Sequence, residues 1–282
     1  MTDPTTQPNS RRTWLVTGAT SGIGRELVAQ VLASGDQVTA VARRSARLGD
    51  LTEKYAGTVL AIDADVRNED DMQRVVDATV ESFGRIDVVA NNAGYGLFGA
   101  VEEAGDEQAR AIFDTNVFGV LNVLRAALPV LRRQRSGHVL QGSSFYGQFA
   151  HPGVGLLAAT KYAVEGLSDA LVSELEPLGI RVTIVQPAPT ATSFLDNLEI
   201  ATPIGDYDRT VRQVQAEIDS LPPGAFVSAE QIAAGIITAV DSDRAPLRLA
   251  LGSSGANAMR TALNARLDDL DDWAAVTDGV LD

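Results

Sequence analysis

The apolar positions of this chain fall into short runs separated by stretches with helical spacing. Residues 14–16, 38–41, 58–62, 86–90, 138–141, 181–185 and 247–250 read as strands. Between them, Ile23, Leu27, Val28 and Val31 share one helical face over 23–32. Similar spacing predicts helices at 46–55, 70–83, 107–133, 155–178 and 228–240, with Pro129 expected to break or kink the longest. Strands that are apolar throughout and alternate with helices mark a parallel sheet covered on both faces. No break in composition divides 13–190, so a single doubly wound α/β domain is expected over 13–282. Residues 1–12 read as a flexible N-terminal arm and 253–282 as a C-terminal tail. The segment 194–224 carries Pro222-Pro223-Gly224 and a helix near 209–218. An insertion this long, just past the carboxyl end of a strand, is where a substrate lid would sit.

Composition narrows the function classes. The sequence has no cysteine and two histidines, His138 and His151, so no metal site is expected. A net charge of −14 argues against nucleic acid and anionic membrane as partners. No apolar run approaches the roughly 20 residues of a bilayer span, and the polar first twelve residues lack a secretory signal. A cytoplasmic location is the expectation. The acidic cluster Asp268, Asp269, Asp271 and Asp272 reads as a solvated helix end. Lys54 and Lys161 are the only lysines, which singles out Lys161.

The segment Thr17-Gly18-Ala19-Thr20-Ser21-Gly22-Ile23-Gly24 lies between a strand and a helix. Gly18 permits the tight turn, Gly22 lets backbone approach a phosphate, and Gly24 lets the helix pack on the sheet. The helix N-terminus then offers free N–H groups and a partial positive charge to a pyrophosphate. The spacing, Gly-x3-Gly-x-Gly, departs from the commoner dinucleotide fingerprint, and taken alone an ordinary glycine turn competes with it. Together with the strand order it points to a Rossmann-like fold. A carboxylate ending the second strand would accept from an adenosine ribose 2′-hydroxyl. Here Ala42-Arg43-Arg44 stands instead, and arginine forks suit a 2′-phosphate, as does the Ser21 hydroxyl. NADP (NADPH) is therefore expected, with two solvated surface arginines as the alternative.

With these residues in view, the chain resembles a short-chain dehydrogenase/reductase of the conventional, single-domain type over 13–252. Asp65-Val66 resembles the pair that contacts adenine, and Asn91-Asn92-Ala93-Gly94 the motif after the fourth strand. Asn116 falls on the helix asparagine of a proton relay, Ser144 on the catalytic serine and Lys161 on the catalytic lysine. Pro187-Ala188-Pro189, with Thr190 and Thr192, is similar to the segment touching the nicotinamide carboxamide. The resemblance implies hydride transfer between nicotinamide C4 and a carbonyl or alcohol. It also implies a tyrosine thirteen residues after Ser144 and four before Lys161, and both counts reach Leu157. Leucine carries no proton. Ala188 is a second departure, since the family usually has glycine there.

Tyr146 and His151 fall in the loop that lines the family's substrate cleft, and either is a candidate proton source. Phe98, Tyr95, Phe145, Phe149, Leu156 and Phe194 are candidates for an apolar wall around a small-molecule substrate. Several functions stay open. The first is an NADP(H)-dependent reductase of a carbonyl or an activated C=C or C=N with rerouted proton transfer. The others are a non-redox catalyst of cyclisation, dehydration or epimerisation, a silent cofactor-binding protein, and an ordinary ketoreductase in which Leu157 was introduced. By resemblance, a homodimer or homotetramer is expected.

Overall fold

The computed structural model describes residues 11–192, 194 and 198–280. Its main sheet has seven parallel strands: β1 (Thr13–Thr17), β2 (Gln37–Ala42), β3 (Val59–Asp63), β4 (Val88–Asn91), β5 (Gly137–Gly142), β6 (Ile180–Pro187) and β7 (Arg248–Leu251). They lie in the order β7-β6-β5-β4-β1-β2-β3. The chain runs outward from β1 in one direction and then resumes beside it at β4, so a crevice opens at the carboxyl ends of these two strands.

Side chains alternate across each strand and both faces are covered, which is why the strands read as continuous apolar runs. Leu15, Val89, Val139 and Val182 face a core built with α3 (Glu69–Phe83), α5 (Gly119–Gln134) and α6 (Gly155–Leu175). Their neighbours Trp14, Val16, Val88, Ala90 and Leu140 face a second core with α1 (Gly22–Ala33) and α8 (Ala229–Asp241). A short α2 (Gly49–Lys54) precedes β3. This is the single-domain, Rossmann-like architecture expected from the sequence.

The structure refines the reading of four segments. Pro129 does not break the long helix but sits inside α5; the irregularity lies earlier, as a π-turn at Asp114–Phe118 between α4 (Asp106–Phe113) and α5. Such turns are favoured where a side chain must be re-aimed, and this one carries Asn116. Helix Asp106–Gln134 as a whole is also long and apolar enough, by length and composition, to cross a bilayer, yet 56% of its apolar window is buried inside the fold.

Residues 253–279 of the C-terminal segment are almost wholly helical. They form α9 (Ser253–Asp272) and α10 (Ala274–Gly279), with 281–282 outside the described residues. The backbone of Gly255 lies so close to Ala188 that a Cβ there would come within 2.9 Å of the alanine Cβ. Arg266 bonds to the Gln148 carbonyl and the Tyr162 hydroxyl. Few of the apolar residues of α9 are buried, so periodicity gave a weak signal.

Most of the proposed arm, residues 1–10, lies outside the described residues, but Arg12 is anchored. Its backbone N–H and Nε donate to Asp36 at 3.0 and 2.9 Å, and Nη1 to Asp241 at 2.6 Å.

Of the lid segment, 195–197 fall outside the described residues; Phe194, Leu198–Ile200 and parts of 215–221 border the crevice. Glu199–Ile200 pairs with Leu97–Phe98, and Val227–Ser228 with Thr190–Ala191. A π-turn at Asp208–Arg212 leads into α7 (Gln213–Asp219). The buried Glu103 holds this segment: its carboxylate accepts the N–H of Ala100 and of Ile204, both at 2.7 Å, and pairs with Arg212.

Candidate active site

The glycine turn adopts the geometry its sequence implies. Gly18 and Gly22 have φ of +67° and +51°, where glycine is favoured. A Cβ on Gly24 would lie 2.3 Å from the Gly18 carbonyl oxygen and 2.4 Å from Asn92 Nδ2. Backbone therefore approaches backbone with no room for a methyl group, and the N-terminus of α1 is left bare for an anion. Asn92 clamps the turn from β4: Nδ2 donates to the Thr17 carbonyl at 3.1 Å and to that of Gly18 at 3.3 Å. Thr17 Oγ1 answers by accepting the N–H groups of Asn92 and Ala93 at 3.1 Å. The side chain of Asn91 is committed instead to the buried Gln141, to which Nδ2 donates at 2.9 Å. Thr17 and Asn92 were not singled out individually from sequence, although both sit inside the motifs that were.

A cavity of about 1020 Å³ extends from this turn across the ends of β4 and β5 to the lid. Every cofactor-binding residue expected from the sequence lines it except Gly24, which lies beneath the turn. Arg43 and Arg44, at the end of β2, are exposed on its rim. Asp65 pairs with Arg67 at 2.6 Å, and that hydrogen bond holds its carboxyl below the usual range. The Val66 carbonyl is fixed by Asn122 Nδ2 at 3.0 Å.

At the other end, Lys161 projects from α6 and donates from Nζ to the Gly142 carbonyl at 2.9 Å. Burial lowers its pKa to about 8. Asn116 turns from the π-turn to meet Tyr95: Oδ1 accepts the Tyr95 N–H at 3.1 Å, and Nδ2 donates to its carbonyl at 2.9 Å. A Cβ on Gly94 would lie 3.0 Å from Asn116 Oδ1 and 3.7 Å from Lys161 Nζ, so these groups converge. Ser144 caps a short helical turn, Phe145–Gly147, its Oγ accepting the Tyr146 N–H at 3.2 Å. That leaves the Ser144 hydroxyl hydrogen free to donate into the cavity.

Leu157 lies one helical turn before Lys161 on the cavity wall. It is buried in an apolar cluster with Leu97, Phe98, Val154 and Ala201. Tyr146 packs against the same cluster, and its hydroxyl meets His151 Nε2 at 2.5 Å. Burial pushes the Tyr146 phenol well above its ordinary value. Of the proposed apolar wall, Tyr95, Phe98, Phe145 and Phe194 line the cavity, whereas Phe149 and Leu156 do not. Leu198, Ile218 and Leu221 from the lid, with Phe226 just beyond it, complete it. No periodic pattern in the lid could have singled these out.

Glu165 was also missed. It stands one turn beyond Lys161 and accepts from Ser143 Oγ at 2.7 Å, Gln186 Nε2 at 2.9 Å, Gln148 Nε2 at 3.0 Å and Arg248 Nε at 2.9 Å. Its i+4 spacing from Lys161 was the available signal. Ala188 is buried, its methyl group filling the space against Gly252 and Gly255. Among the described residues no cluster of three metal-ligating side chains occurs.

A family model for the short chain dehydrogenases matches residues 12–202. The chain belongs to that family. It is 35% identical over 242 residues to the oxidoreductase BOA17 of Botryotinia fuckeliana, covering 85% of this chain and 88% of that protein. A short-chain dehydrogenase from Streptomyces avermitilis superposes with a TM-score of 0.90 at 34% identity, covering 96% of this chain and 99% of that one. A Burkholderia phymatum short-chain dehydrogenase/reductase in complex with NAD shares the fold, with a TM-score of 0.78 at 23% identity and coverage of 89% and 92%. The short-chain dehydrogenase described here is thus an oxidoreductase of a family that uses a nicotinamide cofactor. The glycine turn fits such a group, since Gly18 and Gly22, both at positive φ, line the cavity at the N-terminus of α1.

Proposed function

We propose that this short-chain dehydrogenase is NADP(H)-dependent and reduces a carbonyl, or an activated C=C or C=N, of a small apolar substrate, with a rerouted proton. The observation that carries this reading is the asymmetry of the cleft. At one end, Arg43 and Arg44 rim the cavity; at the other, the conventional acid is replaced by Leu157 against an apolar wall. Bound NADPH would supply the hydride. Arg43 and Arg44 would pair with its 2′-phosphate, the glycine turn would hold its pyrophosphate, and Lys161 would hold its nicotinamide ribose. Ser144 would donate to the substrate oxygen. A small-molecule partner suits the enclosed, mostly apolar lining. Self-association as a homodimer or homotetramer belongs to the same proposal, supported by the exposed Phe118 at the junction of α4 and α5.

The test is a pair of titrations and an assay. NADPH and NADH binding are measured for the wild type and Arg43→Ala, and NADPH consumption is followed with a panel of ketones and enones. NADPH affinity should fall by about tenfold or more in the variant, as for loss of a charge-assisted contact, with NADH little affected. Equal losses for both cofactors would refute the role of Arg43. Burial of Leu157 in an apolar cluster favours a second reading, catalysis without net redox change or cofactor binding alone. Tight NADPH binding without consumption would establish it.

A further inference from the structure

A phenol already lies in the cleft, two residues after Ser144 and on the Lys161 side of it in sequence. Tyr146 stands on the Phe145–Gly147 turn, its ring 4.0 Å from that of Phe145 and edge-on to Phe149 at 5.6 Å, centroid to centroid. These contacts and the apolar cluster around Leu157 fix the ring, leaving the hydroxyl to be partnered by His151 Nε2. On the far side of the imidazole, Nδ1 lies 2.9 Å from the Pro152 carbonyl oxygen. A carbonyl only accepts, so Nδ1 carries the hydrogen, Nε2 of the neutral ring is bare, and Tyr146 donates to it. This arrangement of a phenol oriented by a histidine, which is in turn oriented by a carbonyl, is that of an acid with a relay behind it.

Building on the reductase reading above, we propose that Tyr146, recharged by His151, is the acid that replaces the missing tyrosine. As hydride bonds to the substrate carbon, the π pair of the C=O moves to oxygen. That oxygen forms a bond to the Tyr146 proton while the phenol O–H bond breaks, leaving its pair on the phenolate. His151 Nε2 then takes a proton from solvent, which the residue reaches because it is only partly buried, and passes it to the phenolate, so the dyad returns to its starting form with a neutral, Nδ1–H imidazole. The balance is one hydride and one solvent proton per C=O reduced. Ser144 Oγ accepts the Tyr146 N–H at 3.2 Å, which leaves its own hydrogen available to donate to the same oxygen. The high pKa that burial gives Tyr146 keeps it protonated between turnovers.

The experiment uses the full-length protein with NADPH, and acetophenone and 2-cyclohexenone as probes. Tyr146→Phe keeps the ring and its packing but removes the hydroxyl. It should lower kcat by about 10²–10⁴-fold and leave the Kd for NADPH unchanged. His151→Gln leaves the phenol in place; it should lower kcat less and change the solvent deuterium isotope effect on kcat, a readout that mere loosening of the loop would not move. Wild-type turnover in Tyr146→Phe overturns the proposal and leaves the reductase reading standing. Wild-type protein that binds NADPH but oxidises none of it with either probe overturns both. A variant with unchanged Tm and NADPH affinity but lost turnover is the result that supports the dyad.

Discussion

If Tyr146 is the acid, then a phenol restored at position 157 should matter only when Tyr146 is absent. Position 157 lies one helical turn before Lys161, so the two side chains are neighbours, about 5–6 Å apart at Cβ. At an effective dielectric near 20, an ammonium about 5 Å away favours a phenolate by about 3 kcal/mol, which would draw a pKa of about 10 down toward about 8. That matches the value of about 8 to which burial lowers Lys161 itself. The activation therefore holds below about pH 8 and fades above it, as the lysine loses its charge. Leu157→Tyr in the Tyr146→Phe background should recover about 10²–10⁴ in kcat, equivalent to roughly 3–5 kcal/mol of barrier. In the wild-type background the same substitution should gain less than about threefold, because the proton is already delivered.

The cost is steric. Leu157 is 4% exposed in a packed cluster, so the larger ring should destabilise the fold by about 1–3 kcal/mol. At about 2–4 °C per kcal/mol, that lowers Tm by roughly 2–12 °C. The assay is a four-member cycle of wild type, two single variants and the double variant, each with kcat for acetophenone, Kd for NADPH, and Tm. Equal gains in both backgrounds would refute Tyr146 as the existing acid. No gain in either, with NADPH binding intact, would refute the assignment of 157 and Lys161 to the reacting end of the cleft.

Three further outcomes follow from the geometry. Gly24→Ala puts a methyl group 2.3 Å from a backbone carbonyl, a strain of about 1–3 kcal/mol that should weaken NADPH about 5- to 150-fold by fluorescence titration; Gly166→Ala, which meets nothing within 4 Å, should leave affinity unchanged. Lys161 is charged below its pKa of about 8 and neutral above it, so NADPH affinity should fall by about three- to tenfold as pH rises from 7 to 9, and Lys161→Met should flatten that profile. Glu103→Gln should release the lid. Burial alone pushes Glu103 up, but the N–H groups of Ile204 and Ala100 and the Arg212 guanidinium outweigh it and hold the carboxyl below its ordinary value. The latch is therefore present above the ordinary carboxylate range and lost as pH falls through the lowered value, and hydrogen exchange should show 204–219 deprotected in the variant with the main sheet unchanged.

The cofactor half of the cleft was legible in the sequence because its requirements are local. A glycine that must accept positive φ, or must leave room for a carbonyl 2.3 Å from where its Cβ would be, admits no other residue. Fixed spacings from Ser144 and Lys161 likewise located Leu157 without any structure. The substrate half was not legible in this way. Leu198, Leu221 and Phe226 reach the cavity from irregular backbone and Ile218 from the seven-residue α7, too little regular structure for a period of 2 or 3.6 to mark which side chains point inward. The contact between Tyr146 and His151 depends on the course of a loop rather than on spacing along an element. The helix at 253–272 was obscured for another reason: its exposed face dominates, and only Gly255 and Met259 are buried.

Glu165 shows how the site stands without a phenol at position 157. In the conventional arrangement the tyrosine and lysine are both presented by the helix that here is α6. In this protein the same helix still carries Lys161, and one turn later Glu165 ties the Ser144 loop to β6 and β7 through Ser143, Gln148, Gln186 and Arg248. The loop that bears Ser144 and Tyr146 is thus held by a carboxylate four residues past the lysine, independently of position 157. Leu157 meanwhile contributes apolar area to the cluster beneath the lid. A leucine there supplies no proton donor but leaves no buried polar group unpaired, whereas removing Glu165 would leave Gln186 and Gln148 Nε2 without an acceptor and Ser143 Oγ with only the Ser144 carbonyl at 3.5 Å. A phenol at position 157 is consequently not needed to hold this site together, whereas the hydrogen-bonded scaffold around Glu165 is.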